Sequence, residues 1–286
     1  MNTQFWLIQA FNGISYGALL FLVGSGLSLI FGVMRIVNLS HGSYFLLGGY
    51  VALSVIWTTG SWALALPVAA LSIAVVGLLM ERIFLRPLGF DPLRQVLLTV
   101  GFAFLFQQAA LDIWTGNNFD ITPPDVLTKS VVVGGLYLPL YRVFMIATAL
   151  VIGIALWLVM EKTRMGAAVR ATVDDAQMAR GCGIDTSRIS MLIFSLGAFL
   201  AALGGVIGGA FLGVYPGLDF EMLPLAFAVV IIGGMGSLGG AAIGALLVGL
   251  ADNFGKALFP EISYFTLYAP MALILAVKPT GLFGRE

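Results

Sequence analysis

Long uncharged stretches divide the chain into segments that are each close to the length needed to cross a membrane. A helix that crosses the hydrocarbon core of a bilayer needs about 20 mostly apolar residues. The run from Ile36 to Met80 can hold two such helices, which we expect to be divided near Thr58, Thr59 and Gly60. The pattern predicts an all-α, polytopic integral membrane protein with about eight transmembrane helices. The uncharged runs are Met1–Met34, Ile36–Met80, Gln95–Leu111, Val143–Met160, Ile189–Leu218, Met222–Ala251 and Ile262–Val277.

The glycine-rich segment 231–240 reads IIGGMGSLGG and contains the G-x-G-x-x-G pattern of a dinucleotide-binding turn. Such a turn lies between a strand and a helix, whereas this segment lies in an uncharged run, where a pyrophosphate would have to enter the hydrocarbon region. Consecutive glycines weaken a helix by about 1 kcal/mol each relative to alanine. We therefore expect a broken helix near 233–240 that lines the path of a solute. The path candidates in this segment are Gly233, Gly234, Gly236 and Ser237.

A second glycine pair, Gly48-Gly49, lies in the first half of the chain. Transporters built from inverted repeats place a broken helix in each half. We therefore expect an inverted-repeat architecture in which Gly48-Gly49 is the weaker counterpart of the break near 233–240.

Composition agrees with a membrane protein and excludes several functional classes. Hydrophobic residues make up 60% of the chain and charged residues 10%, whereas soluble domains are about 25% charged. The net charge of zero gives no reason to expect nucleic acid as a partner. The single cysteine, Cys182, excludes an intrachain disulfide, and a single histidine without nearby acids argues against a metal site. The uncharged stretch before Arg35 favours a retained first helix over a cleaved signal peptide.

Basic residues predict the orientation of the chain. They concentrate in the loops 81–95 and 161–188, while 116–140 and 214–223 carry mainly acidic residues. By the positive-inside rule the first two loops are cytoplasmic and the other two lie outside. Arg35 is then inside and the N-terminus outside, and a break within Met222–Ala251 places the C-terminal tail inside.

The loop 161–189 is the longest of the predicted cytoplasmic loops. Asp174 or Asp175 can cap a short helix over Ala176–Arg180, which Gly181 or Gly183 then ends. From the residues alone, this segment is either a solvated connector or a helix that docks a cytoplasmic partner.

The same loop resembles the cytoplasmic coupling loop of ABC importer permeases, in which an acidic residue and alanine are followed by a glycine some residues later. The match here is Asp175-Ala176 with Gly183-Ile184-Asp185. Further segments, in order along nearly the whole chain, resemble the permeases of the branched-chain amino acid transporter family. These segments are GLSLIFGVMRIVNLSHG (26–42), ERIFLRPL (81–88), TRMGAAVRAT (163–172), GIDTSRI (183–189), VVIIGGMGSLGGAAIGALLVGL (229–250) and PTGLFGR (279–285).

The resemblance implies a single transmembrane permease domain over residues 1–286 in a bacterial inner membrane, and no enzymatic activity. It implies a second permease, either a related chain or another copy of this one. It also implies two ATPase subunits that bind ATP and Mg²⁺, and a periplasmic binding protein that delivers branched-chain amino acids. The chain has no G-x-x-x-x-G-K-[ST] loop and needs no cofactor of its own. The residues expected to couple to the ATPases are Asp174, Asp175, Ala176, Met178, Ala179, Gly183 and Ile184.

Small residues recur at helical spacing in the second half of the chain. In lipid, such residues let two helix backbones approach closely. We expect them to pack helix on helix, within the chain or against the second permease, rather than to line the path. The residues are Gly197, Ala201, Gly205 and Gly209 in one segment and Gly240 and Gly244 in another.

The segment IVNLSHG at 36–42 contains the only histidine in a polar cluster. Asn38 or Ser40 can cap a helix that starts near the cytoplasmic face. Alternatively, Asn38, Ser40, His41 and Gly42 line the translocation path, because polar groups at membrane depth usually face a cavity. No acid or base is predicted deep within a span, which argues against coupling to an ion gradient.

Three functions other than import of branched-chain amino acids are also compatible with the sequence. A self-contained secondary transporter or channel also uses broken helices, and relatives of the resembled family carry urea, short amides or aromatic carboxylates. A membrane enzyme has little support, because no cluster of His, Glu and Asp lies within the spans.

Overall fold

The computed structural model describes residues 3–89, 91–133, 135–278 and 280–284, and it is almost entirely helical. A two-stranded antiparallel hairpin, β1 (Ser130–Val133) and β2 (Leu136–Pro139), lies in the loop before α5 and was not expected from the sequence. The helices are α1 (Thr3–Met34), α2 (His41–Thr59), α3 (Trp62–Met80), α4 (Pro92–Trp114), α5 (Leu140–Lys162), α6 (Arg164–Asp174), α7 (Ala176–Gly181), α8 (Thr186–Leu212), α9 (Leu218–Gly233), α10 (Leu238–Leu258) and α11 (Ser263–Val277).

Six helical segments of the described chain are long and apolar enough to cross a membrane, so the protein is a multi-pass membrane protein. In one of them, α3 continues through a π-helical turn (Glu81–Leu85) and a 3₁₀ turn (Arg86–Leu88). Three further helices, α2, α9 and α11, are more polar or shorter. The six segments are Thr3–Met34, Trp62–Leu88, Pro92–Trp114, Leu140–Lys162, Thr186–Leu212 and Leu238–Leu258.

The core is formed by α1, α2, α8, α9 and α10, while α4 and α5 lie at the periphery. In the most apolar 18-residue stretch of α1 and of α8, 72% of the residues are buried, whereas the corresponding shares in α4 and α5 are 17% and 22%. The peripheral helices leave large apolar side chains exposed, such as Phe104 and Ile154. In a membrane, these faces contact lipid or another subunit.

The predicted loops group at two ends of the bundle. Arg86 Nη2 donates to the carbonyl oxygen of Ser187 at 2.9 Å, so the loops 81–95 and 161–188 lie at one end, which we call the basic end. Phe119 and Val214 pair at the other end, with N···O distances of 2.9 and 2.7 Å. The described tail is also at the basic end, because it borders a groove there together with Arg35.

Two helices, α2 and α9, begin inside the bundle rather than at its surface. His41, the first residue of α2, contacts the carbonyl of Val23, which lies eleven residues, or about 16 Å, before the end of α1. Residues 35–40 therefore run back from the basic end into the bundle in a non-helical conformation. Residues 213–217 do the same from the opposite side, between the end of α8 and Leu218.

The glycine break expected near 233–240 is present. The helix α9 ends at Gly233, α10 begins at Leu238, and Gly234 and Gly236 have φ angles of +100° and +80°. The expected counterpart at Gly48-Gly49 is wrong, because α2 continues unbroken from His41 to Thr59. These two glycines instead lie where α2 and α8 touch.

Candidate functional site

The N-terminal ends of α2 and α9 meet inside the bundle, and we call this meeting point the helix junction. A Cβ atom added to Gly42 would overlap the backbone carbonyl of Asp219, so the two helix starts are in backbone contact. Ser43 Oγ donates to Asp219 Oδ2 at 3.2 Å. Gly42, Ser43 and Asp219 are all buried. The two helices run away from the junction toward opposite ends of the bundle.

The polar cluster at 38–41 lies on the α2 side of the helix junction. Asn38 Oδ1 accepts hydrogen bonds from the amide and the hydroxyl of Ser40, at 3.1 and 2.7 Å. His41 Nε2 lies 3.0 Å from the carbonyl oxygen of Val23. Asn38, Ser40 and His41 are fully inaccessible within this chain, so they line no open cavity in this conformation.

The expected side-chain cap of α2 is wrong. Ser40 occupies the N-cap position, but neither its side chain nor that of Asn38 accepts a hydrogen bond from the first turn of α2. The helix α9 has Gly217 at its N-cap position and therefore also has no side-chain cap. Most helices that begin nearer the surface have one, as Ser61, Asp91, Thr163, Asp175, Asp185 and Ser237 each accept a hydrogen bond from the following turn.

Asp219 was placed in an outside loop by its sequence neighbours, and the structure corrects this. Asp219 is only 2% exposed, and its side chain lies against the start of α2. Its Oδ1 atom has no hydrogen-bond partner among the described residues, and no Lys, Arg or His of the described chain forms an ion pair with it. The bundle therefore does contain a buried acid, contrary to the expectation that none lies deep within it.

The glycine break forms a tight turn at the basic end. Ser237 Oγ accepts from the amide of Gly240 at 3.0 Å and so starts α10. The carbonyl oxygen of Ser237 accepts from Ser28 Oγ in α1 at 3.4 Å. A Cβ atom on Gly236 would lie 2.9 Å from the Cα of Gly32. The backbone of the turn can therefore pack directly on α1 because neither residue has a side chain.

A groove of about 1010 Å³ opens beside this turn, between α1, α5 and α10. Its walls at membrane depth are apolar and include Phe21, Leu150 and Ile154. Gly236 and Ser237 line it near the basic end, while Gly233 and Gly234 are buried behind them. The charged groups at its mouth are Arg35, Glu161, Arg170 and Asp174.

The short helix predicted in the loop 161–189 is α7. Asp175 Oδ1 accepts from the amides of Gln177 and Met178 at 2.8 and 2.9 Å, which caps the helix. The chain then leaves α7 through Gly183, whose φ is +84°. The Met178 side chain is 67% exposed, whereas Ala179 is buried beneath it. The outer residues of this loop, including Asp174 and Gly183, are exposed and Ile184 is half-buried.

The preceding helix, α6, was not predicted from the sequence. Thr163 caps it by accepting from the amide of Gly166 at 3.1 Å. A Cβ on Gly166 would overlap the carbonyl oxygens of Val159 and Met160, and Arg170 Nη1 donates to the carbonyl of Met160. These contacts hold α6 against the end of α5, so α6 and α7 are anchored rather than loose.

The small residues expected to pack helices lie at close contacts within this chain. Gly197 faces the carbonyl oxygen of Gly26 in α1, Gly205 faces that of Phe45 in α2, and Gly209 faces Val214. Ala201 is fully buried. Gly240 and Gly244 face the backbone of α9 at Gly233 and Val229, which brings the two arms of the broken segment together.

Residues 13–17 read GISYG and match the G-x-S-x-G pattern of a hydrolase nucleophile. That pattern requires a strand-to-helix turn, but these residues lie in the middle of α1. Gly13 and Gly17 pack against the backbone of α10, and Ser15 Oγ donates to the carbonyl of Phe11 at 2.7 Å. The motif is therefore a helix-packing site.

Comparison with known proteins assigns the family. The family model described as "Branched-chain amino acid transport system / permease component" matches residues 9–275. The high-affinity branched-chain amino acid transport system permease protein LivH of Salmonella typhimurium is 32% identical, over 100% of this chain and 98% of its own. BraD of Pseudomonas aeruginosa, described in the same words, is 28% identical over 98% and 96%.

A second permease protein of a transport system with the same description is also similar to this chain. LivM of Escherichia coli, a high-affinity branched-chain amino acid transport system permease protein, is 28% identical over 91% of this chain and 67% of its own. No solved structure shows a significant match. The match over residues 9–275, together with identity to LivH along the full chain, shows that this protein belongs to the branched-chain amino acid transport system permease family.

Proposed function

We propose that this protein is the transmembrane permease subunit of an ATP-driven importer of branched-chain amino acids in a bacterial inner membrane. The observation that carries the proposal is similarity along the whole chain to permeases of that transport system, including LivH. The family is one of transport permeases rather than enzymes. The single permease domain would extend over residues 1–286.

The proposed partners are a second permease, two cytoplasmic ATPase subunits and a periplasmic binding protein. Similarity to both LivH and LivM supports a pair of related permeases, since both are permease proteins of one named transport system. The ATPase subunits would bind ATP and Mg²⁺, because this chain carries no phosphate-binding loop. The exposed apolar faces of α4 and α5 offer surfaces for the second permease or for lipid.

The helix α7 would transmit the movement of the ATPases. It has the geometry expected of a docking helix, with an exposed Met178 on a body fixed by the Asp175 cap and by Arg180 Nε donating to Thr186 Oγ1 at 2.8 Å. Because Thr186 begins α8, a displacement of α7 would tilt α8 and, through α6, α5. Alternating tilts of these helices would open the path to either side.

The proposal also includes an inverted repeat and about eight crossings. Supporting the repeat, α2 and α9 both begin inside the bundle after a non-helical segment, meet at their N-terminal ends, and leave in opposite directions. Half-helices of this kind are a property of inverted-repeat transporters. The basic end would be cytoplasmic, as the positive-inside rule requires.

Reconstitution in proteoliposomes tests the proposal. With the second permease, the ATPases and the binding protein present, we expect uptake of labelled leucine that requires ATP. Met178→Asp should abolish uptake and ATPase stimulation, because it places a charge in an apolar docking contact, whereas Val126→Asp at the opposite end should not. Uptake by the permease alone down a gradient would instead support a secondary transporter or channel.

A further inference from the structure

The helix junction contains a buried carboxylate with no positively charged partner among the described residues. Asp219 is 2% exposed, and its carboxylate accepts a hydrogen bond of 3.2 Å from Ser43 Oγ beside the backbone amides of Asp219 and Phe220. Its Oδ1 atom has no partner in the described chain. A buried charge is strongly unfavourable unless it is paired, and ionisable residues within a membrane usually mark the path of a substrate or ion. The partner that such a buried carboxylate requires is a positively charged group.

The junction also offers hydrogen-bond donors for an anion. The first amides of a helix have no intrahelical acceptors, and the start of a helix carries a partial positive charge. At α2 no side chain caps these amides, and neither Gly42 nor Ser43 donates its amide to a described residue outside the helix. Such uncapped starts of broken helices bind the carboxylate of amino acid substrates in other transporters.

Two further polar atoms at the start of α2 are buried without partners. They are Asn38 Nδ2 and His41 Nδ1, and both residues are fully inaccessible. Buried polar atoms without partners are rare in folded proteins, because each costs the free energy of its lost hydration. With Asp219 Oδ1, they bring three such atoms to the first residues of α2 and α9, while the others among the described residues are scattered over Tyr50, Trp62, Glu81 and Arg142.

An amino acid has the complementary pair of charges. Its carboxylate fits the free amides at the start of α2, and its ammonium group fits Asp219. We infer that the helix junction is the gate of the solute path, and that Asp219 pairs with the α-ammonium group of the amino acid when the starts of α2 and α9 separate. This inference rests on the proposed function, since it names how the same path recognises its solute.

In the conformation described here the gate is closed. Gly42 touches the carbonyl of Asp219, and the Ser43 hydroxyl donates a hydrogen bond to one oxygen of the Asp219 carboxylate. Opening would exchange the Ser43 hydrogen bond for one from the ammonium group. The positive charge of the solute is then paired with the Asp219 carboxylate inside the bundle. This pairing lowers the free-energy barrier to crossing, because an unpaired charge is costly in apolar surroundings.

The test uses the complete transporter in proteoliposomes and measures two quantities. One is the uptake of labelled leucine, and the other is ATP hydrolysis stimulated by the leucine-loaded binding protein. Asp219→Asn keeps the shape of the side chain and removes its charge. We expect uptake per ATP to fall by about ten-fold or more, because a hydrogen bond to a charged group is worth roughly one to two factors of ten in equilibrium. Stimulated hydrolysis should change little, because Asp219 is not part of α7, the helix proposed to dock the ATPases.

Glu221→Gln is the matched control. Glu221 lies in the same first turn of α9, is exposed, and accepts from Tyr215 at 2.8 Å. Its neutralisation should leave uptake per ATP unchanged. If Asp219→Asn does not assemble, Asp219→Glu carries the test, since it keeps the charge but moves it by one methylene, and its uptake per ATP should also fall.

The outcomes separate the two proposals. Wild-type transporter that hydrolyses ATP without taking up leucine would overturn the proposed function itself. Wild-type uptake with an unchanged uptake per ATP in the Asp219 variant would overturn the inference and leave the proposed function standing. An equal fall in the Glu221 and Asp219 variants would also overturn it, because the effect would then be that of any acid at the start of α9.

Discussion

Two glycine-rich segments of the bundle differ in backbone structure: Gly48-Gly49 lies within the continuous helix α2, whereas Gly233–Gly236 ends α9 and turns toward α10. A Cβ atom on Gly48 would overlap the backbone of Ala202, and one on Gly49 would approach Val214 at 3.0 Å, within a continuous helix. At Gly234 and Gly236, the backbone has φ angles of +100° and +80°, and the helix stops. The first pair serves close packing, and the second serves a turn.

The comparison shows that glycine in a membrane helix has two separate uses. In lipid, small residues let backbones approach and gain dispersion contacts, and a helix tolerates them because the helix retains all its hydrogen bonds. A positive φ is a different requirement, since only glycine adopts it without strain. Substitutions can therefore separate the two uses, and the expected effects are ordered from the largest to the smallest below.

Gly48→Leu should have the largest effect. The new side chain would have to occupy the space of the Ala202 backbone, so α2 and α8 could not pack. We expect loss of a monodisperse, folded protein in detergent, measured by size-exclusion chromatography. Gly101→Leu on α4, where an added Cβ meets nothing within 4 Å, should leave the elution profile unchanged. A normal profile for Gly48→Leu would contradict the packing role.

Gly234→Ala should lower stability without preventing folding. A residue with a side chain at this φ costs about 1–3 kcal/mol, and its Cβ would also overlap the backbone of Gly284. We expect a clear fall in the melting temperature, followed by intrinsic fluorescence. An unchanged melting temperature would show that the turn can relax into a different conformation.

Ser237→Ala should have a smaller effect. It removes the hydroxyl that accepts from the amide of Gly240 at 3.0 Å and caps α10. Loss of such a cap costs about 1 kcal/mol, so the melting temperature should fall by less than in Gly234→Ala. The Ser237→Asn variant, which restores an acceptor at the cap, should recover most of the loss.

Gly239→Ala should have the smallest effect and the opposite sign. Gly239 lies in the first turn of α10, and an added Cβ meets nothing within 4 Å. Alanine is favoured over glycine by about 1 kcal/mol in a helix interior, and by less in the first turn, whose amides make no intrahelical hydrogen bond. A slight rise in melting temperature is expected, and a fall would mean that another subunit packs closely against this position.

Local features were predicted from the sequence most accurately. Asp174 or Asp175 was expected to cap a short helix, and the structure shows that the Asp175 carboxylate accepts two amides of α7. The division of the run 36–80 near Gly60 was also correct, since α2 ends at Thr59 and α3 begins at Trp62. Each of these depends on residues a few positions apart, so the interactions that decide them are visible in a short window of sequence.

The candidate site was predicted only in part. Asn38, Ser40 and His41 were singled out as a polar cluster, but Asp219 was assigned to an outside loop because the segment 214–223 carries acidic residues and no basic one. The structure places it beside Ser43 instead. No signal in either segment reveals this, because the two residues are far apart in the chain and the contact depends on how residues 213–217 fold into the bundle.

The sequence by itself determined the class of the protein, its long helices, the position of its glycine turn and its family. Each follows from apolarity over a window of membrane length, from local backbone preference, or from identity along the chain. The tertiary structure alone decided which glycines pack, where α2 and α9 begin, and that Asp219 is buried. The physical reason is that lipid and the protein interior are equally apolar, so hydrophobic pattern distinguishes a membrane helix from a loop but not a buried face from an exposed one.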